Sequence, residues 1–128
     1  MNCVKSYRDL IVWQKSMDLA EKIYSHTRLF PKDQTYGIVS QMQRSAISVP
    51  ANIAEGRARN SRKEFTQFLG IAKGSLAELE TFAILSGRLG YLNKQTSAGL
   101  LMNCEEINKL LNGLLKSLAT RHSQLLYC

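Results

Sequence analysis

Two groups of residues in this chain have the types and spacing to do chemistry. The first is a polar stripe, Gln41, Ser45, Ser48, Asn52 and Glu55, spaced 4, 3, 4 and 3 residues apart so that all lie on one face of a helix. Ser75, Glu78 and Glu80 stand across the following turn. Carboxylates beside hydroxyls are the raw material of general acid–base work, but that work needs a pocket to tune a glutamate, and the pattern shows none. Read structurally, Ser48, Asn52, Glu55, Ser75 and Glu78 form a network that satisfies its own polar groups and the carbonyls near Pro50. No catalytic residue is assigned to the stripe.

The second group is basic. Ser48-Val-Pro-Ala-Asn-Ile-Ala-Glu-Gly56 runs into Arg57-Ala-Arg-Asn-Ser-Arg-Lys63, with Arg57, Arg59, Arg62 and Lys63 between the end of one helix and the start of the next. Arg44 lies about three turns back on the earlier helix. Guanidinium groups give paired hydrogen bonds to phosphate, and a helix start adds the partial positive charge of its amides. Arg44, Arg57, Arg59, Arg62 and Lys63 are therefore the candidate nucleic-acid ligands. The competing reading is a solvated turn that keeps the protein soluble. No aromatic is interleaved with these cations, so base-specific readout has no support and binding should be electrostatic and salt-sensitive.

Other chemistry is poorly represented. Cys3, Cys104 and Cys128 have neither metal-ligand nor redox spacing, and Cys104 falls in an apolar stripe, where it reads as a small core residue. His26 and His122 lack partners at helical spacing, so no metal is expected. Gly70-Ile-Ala-Lys-Gly74 has neither the spacing nor the strand of a phosphate loop. No cofactor is expected, and an enzyme is the weakest reading.

Helices must position these groups, because the apolar spacing is helical almost throughout. Leu10, Trp13, Met17, Ala20 and Tyr24 predict a helix over 8–27, ending before Leu29-Phe-Pro31, where Leu29 and Phe30 should fold back over the core. Val39, Met42, Ala46, Val49 and Ile53 predict a second over 33–55, bent or broken near Pro50 and capped by Gly56. The unbroken phase from Val49 to Ile53 favours one bent helix over two pieces. Ser61-Arg-Lys-Glu64 has the form of a capping box opening a third helix over 61–89, with Phe65, Phe68, Ala72, Leu76 and Leu79 inward. A fourth covers 95–119, and residues beyond it either extend it or fray.

Short connections between four amphipathic helices give an up-down-up-down antiparallel four-helix bundle occupying the whole chain, 1–128, as one domain. The small residues Gly70, Gly74, Ser75 and Ala77 opposite Ser45, Ser48, Ala51 and Ala54 point to close helix packing. The pairs Leu100-Leu101, Leu110-Leu111, Leu114-Leu115 and Leu125-Leu126 widen the apolar face, which serves either a thick core or a subunit interface.

Composition sets the setting. The chain has 128 residues, 45% hydrophobic and 21% charged, which is ordinary for a globular domain. No apolar run spans a bilayer, and the first ten residues carry charge where a signal peptide needs its apolar run, so no membrane partner and a cytoplasmic location are expected. A net charge of +7 raises the expectation of a polyanionic partner, and its excess lies in residues 1–64, with 11 Lys+Arg against 6 Asp+Glu.

The chain resembles the bacterial 23S rRNA-intervening-sequence (S23) proteins. The residues that carry this are Leu10-Ile-Val-Trp-Gln-Lys15, Tyr36-Gly37, Gln41-Met-Gln-Arg-Ser-Ala46, the Ser48–Gly56 segment and Ala72-Lys-Gly-Ser-Leu-Ala-Glu-Leu-Glu-Thr81. Met42 and Gln43 stand where the pattern often has leucine and arginine. The resemblance implies a compact bundle that forms a homo-oligomer, in several members a five-fold ring, with no established catalytic residues. It also implies kinship with accessory proteins of diversity-generating retroelements, which bind a reverse transcriptase and nucleic acid. RNA or DNA is thus the first expected partner and a protein the alternative.

Overall fold

The computed structural model describes residues 5–120, which among themselves contain helices and turns and no strand. Residues 121–128 and 1–4, including Cys3, His122, the Leu125-Leu126 pair and Cys128, lie outside the described residues.

Helix α1 spans Ile11–Thr27. A separate 3-10 turn, Tyr7–Asp9, precedes it, with Leu10 extended between them, so the helix starts three residues later than the spacing suggests. The cause is local: Ser6 Oγ accepts the Arg8 amide at 3.2 Å and Asp9 Oδ2 accepts the Ser6 amide at 3.2 Å, a capping box that closes the turn on itself. The buried stripe of α1 is Val12, Ser16, Leu19, Ala20, Ile23 and Thr27. This corrects the expected phase, since Met17 is 38% and Tyr24 43% exposed. Ser16 and Thr27 can occupy the core because their hydroxyls donate to the carbonyls of Val12 (2.6 Å) and Ile23 (2.7 Å), leaving no buried donor unmade.

After α1, Phe30 turns inward and packs against Tyr91 at 5.4 Å between ring centroids, whereas Leu29 points outward at 84% exposed. A 3-10 turn over Lys32–Gln34 and a five-residue π turn over Thr35–Val39 lead into α2, Ser40–Ala58. The backbone irregularity falls at Gly37 (φ −107°, ψ −115°), and α2 runs unbroken through Pro50. Of the two expected alternatives the single helix is therefore the observed one. Gly56 is not a cap: it is buried inside α2, where an added Cβ would stand 2.6 Å from Phe68 Cβ and 3.1 Å from Phe65 Cδ1. A glycine there lets α2 close on its neighbour.

That neighbour is α3, Arg62–Arg88, reached through Arg59–Ser61. Ser61 Oγ accepts the Glu64 amide at 3.0 Å; this is one half of the expected capping box. Its inward residues include Phe65, Leu69, Ala72, Leu76, Leu79 and Ala83, with Phe68 and Phe82 half-buried beside them. Gly90 (φ 81°) ends it in the left-handed conformation, and the Tyr91 amide returns to the Ser86 carbonyl at 2.9 Å. Gly70 and Gly74 do not mediate close packing; both are exposed, with open space where a Cβ would sit.

Helix α4, Lys94–Leu118, is opened by Asn93, whose side chain accepts the Thr96 amide at 2.7 Å. Leu100, Cys104, Ile107, Leu111 and Leu118 are buried, and Leu101, Leu110, Leu114 and Leu115 lie half-buried against them. Each helix packs on two others, α1 on α2 and α4, α3 on α2 and α4, while diagonal contacts are minor. This is the four-helix bundle. Its core, from Ile23 and Met42 through Phe65 and Leu76 to Leu111, is nearly solvent-free. Each such large side chain contributes about 1.5–3 kcal/mol by burial.

Candidate nucleic-acid interface

Antiparallel helices put the start of α1, the end of α2, the start of α3 and the end of α4 at one end of the bundle. Arg57 is half-buried on the last turn of α2, and Arg59 follows it in extended backbone. Arg59 donates to Glu55 at 3.0 Å, one turn back, and its guanidinium lies 5.3 Å from the centre of the Phe68 ring. Arg62, at the start of α3, reaches across to the end of α4. Its Nη2 donates to the Leu118 carbonyl at 2.7 Å and to the Thr120 carbonyl. That reach satisfies carbonyls that a helix end leaves without intrahelical partners and sets a positive charge against the negative end of the dipole. Lys63 is exposed and makes no ion pair among the described residues.

The four tip cations thus come together, but they are not equivalent. Arg59 and Arg62 already have acceptors, and a phosphate would have to compete for them. Arg44 is thirteen residues from Arg57 on the same helix, about 20 Å away along the axis, and lies outside the cluster. Three cations that the sequence pattern did not single out join it. Arg8 belongs to the N-terminal turn that packs on α2, Lys5 precedes that turn and is tied to it by its amide bond to Asp9 Oδ2, and Lys116 lies in the last turn of α4. The signal was available in the topology, since an up-down bundle collects helix starts and ends alternately. Asp9, Glu55 and Glu64 are the acids of the same region.

The polar network is smaller than expected. Ser48 Oγ and Ser75 Oγ are 2.7 Å apart, joining α2 to α3, and either can donate. Asn52 Nδ2 donates to the Ser48 carbonyl (2.8 Å) and Oγ (2.9 Å), bracing α2 one turn around Pro50. Glu55 turns away to Arg59, and Glu78 is exposed, with no hydrogen bond or ion pair to another described residue. Three of the five residues therefore meet. Gln43 takes up a different task, donating to Thr27 Oγ1 at 3.1 Å, while Met42 is fully buried.

Burial pushes the Cys104 thiol up to about 12, with the charge of Glu80 adding to the effect. It stays protonated at neutral pH and fills space in the core. Among the described residues no three His, Cys, Asp or Glu side chains converge to hold a metal ion. No helix among them is long and apolar enough to cross a membrane.

An all-helical bundle with a cationic end describes a class. The profile of the 23S rRNA-intervening sequence protein family matches residues 8–113, and the chain belongs to that family. A crystal structure of a protein of unknown function from the S23 ribosomal protein family of Bacteroides thetaiotaomicron VPI-5482 is similar over 83% of this chain and 99% of its own, with 30% identity and a TM-score of 0.77. No curated protein matches the chain. These similarities concern the intervening-sequence family itself and not the retroelement branch.

Proposed function

We propose that the protein is a non-enzymatic, cytoplasmic homo-oligomer that binds RNA or DNA with low sequence specificity through the cationic end of its bundle. The observation that carries this reading is the gathering of Lys5, Arg8, Arg57, Arg59, Arg62, Lys63 and Lys116, from four separate segments, at one end. Seven cations against three acids make a field that attracts polyanions in any sequence context. Exposed Lys63 and the partly engaged Arg59 would meet phosphate most directly, while Arg62 serves the fold first. A five-fold ring, implied by family resemblance, would multiply the patch and raise avidity.

The test is fluorescence anisotropy with labelled single-stranded and duplex RNA and DNA across a salt series, on protein of known oligomeric state. Affinity should fall linearly in log salt. Lys63→Ala should flatten the slope by about one, the share of a single phosphate-bound lysine. Arg62→Ala should cost stability more than affinity. Absence of binding at low salt would reject the reading. A second reading, a protein-interaction scaffold or an accessory subunit such as that of a reverse transcriptase, draws support from the apolar side chains exposed along α1, among them Ile11, Met17 and Tyr24.

A further inference from the structure

The end of the bundle opposite the cationic tip carries a surface that nucleic-acid binding at the tip leaves unused. Because the helices run antiparallel, the end of α1, the irregular run before α2, the end of α3 and the start of α4 meet there. Phe30 and Tyr91, with ring centroids 5.4 Å apart, tie the turn after α1 to the turn between α3 and α4. Tyr36 and Leu29, at 96% and 84% exposed, are the two most exposed large apolar side chains of the described residues, and both lie at this end. Leu89 joins them at 54%. Single exposed apolar residues are ordinary, but three from three separate segments at one end form a feature. Cations stand beside them. Arg28, Lys32, Arg88 and Lys94 are all exposed, and none makes an ion pair with a described residue. Asp33 is the one acid within residues 26–37 and 84–96.

We infer that this end is a docking face for an anionic lipid bilayer, with Leu29, Tyr36 and Leu89 entering the boundary between headgroups and acyl chains and the four cations set against lipid phosphates. Charge complementarity favours a polyanionic surface, and the apolar residues decide which one. Two leucines gain nothing against the phosphates of a nucleic acid, whereas at an acyl boundary they leave water. A tyrosine, apolar in its body and polar at its tip, suits the level of the headgroups. Shape points away from a folded protein partner. Side chains exposed to this degree are projections, and a projection needs a matching pocket on a protein but only a fluid surface on lipid. Charge and insertion act together here, since either alone holds a protein on a membrane weakly. The contact is made by side chains from separate turns, so it calls for no apolar helix of spanning length. It uses the opposite end of the bundle from the proposed nucleic-acid site, and the two stand or fall separately.

The experiment is co-sedimentation of the full chain with vesicles of phosphatidylcholine alone and of phosphatidylcholine mixed with phosphatidylglycerol. The wild type should bind the mixed vesicles and leave the neutral ones in suspension without it. Leu29→Ser combined with Leu89→Ser should weaken binding about tenfold or more, as loss of two inserted side chains requires. Lys32→Glu combined with Lys94→Glu should abolish it, while Lys63→Ala, at the other end, should bind as the wild type does. Tyr36→Trp should gain blue-shifted emission on mixed vesicles, quenched by brominated lipid. All six positions are exposed, and circular dichroism checks that each variant folds. A wild type that stays in the supernatant with mixed vesicles would overturn the proposal. So would equal binding by the leucine variant, which would mark a purely ionic contact. Binding that Lys63→Ala weakens and the leucine pair does not would assign the vesicles to the tip, overturning this face while sparing the affinity of the tip for polyanions.

Discussion

Cys104 and Asn52 show how much of a side chain's chemistry is set by what surrounds it. A thiol with an ordinary value of 9.0 is held at about 12 by burial. Below about pH 9 the thiol is neutral in folded and unfolded chains alike and titration costs the fold nothing. As pH rises from about 9 towards 12, the unfolded thiol ionises first, and the folded state loses up to about 1.4 kcal/mol per pH unit. Cys104→Ala should therefore show a shallower loss of melting temperature between pH 8.5 and 10.5 than the wild type, whatever its starting stability. Equal slopes would show that the buried thiol does not titrate in this way. Asn52 spans two acceptors on Ser48, which in turn meets Ser75. Asn52→Ala should lower stability by about 1–2 kcal/mol, whereas exposed Glu78→Ala should leave it within about 0.5 kcal/mol. Thermal melts of both variants check this, and an equal loss in the two would place Glu78 back in the network.

At the scale of elements, the glycines divide into two kinds that sequence alone cannot separate. Gly56 is a point of close approach between α2 and α3, and Gly56→Ala must push Phe68 or spread the helices. A loss of about 1–3 kcal/mol is expected, as for overpacking elsewhere. Gly70 and Gly74 lie on the open face of α3 and meet nothing, so alanine at either should add up to about 1 kcal/mol by helix propensity. Opposite signs in urea denaturation midpoints are the expected result; a stabilising Gly56→Ala would mean that the tight helix crossing has slack. The same scale explains α2. A proline within the helix removes one bond to the Ala46 carbonyl, yet packing of Val49, Pro50 and Ile53 holds both sides in phase, and the irregularity falls before α2, at Gly37, instead of at Pro50.

At the scale of the whole molecule, topology turns a scattered basic surplus into a directional one, because it brings the N-terminal turn, the α2–α3 connection and the end of α4 to one end. It also leaves two apolar faces unequal in charge, one between α1 and α2 with Glu21 and one between α3 and α4 with Arg88 and Lys94. The sequence by itself determined that the chain is helical, where three of the four helices both begin and end to within about three residues, that Phe65, Leu76 and Leu111 are core, and that Arg57, Arg59, Arg62 and Lys63 share one turn. Those properties follow from local periodicity, capping residues and sequence proximity. It did not determine which of two apolar stripes on α1 faces inward, since Val12, Leu19 and Ile23 and Trp13, Met17 and Tyr24 both repeat at helical spacing. Nor did it show that Arg62 clasps the end of α4, that Gly56 is a point of close approach and not a cap, or that Glu78 is outside the network. Each of these depends on what stands opposite a residue after the helices pack, and only the tertiary structure supplies the partner.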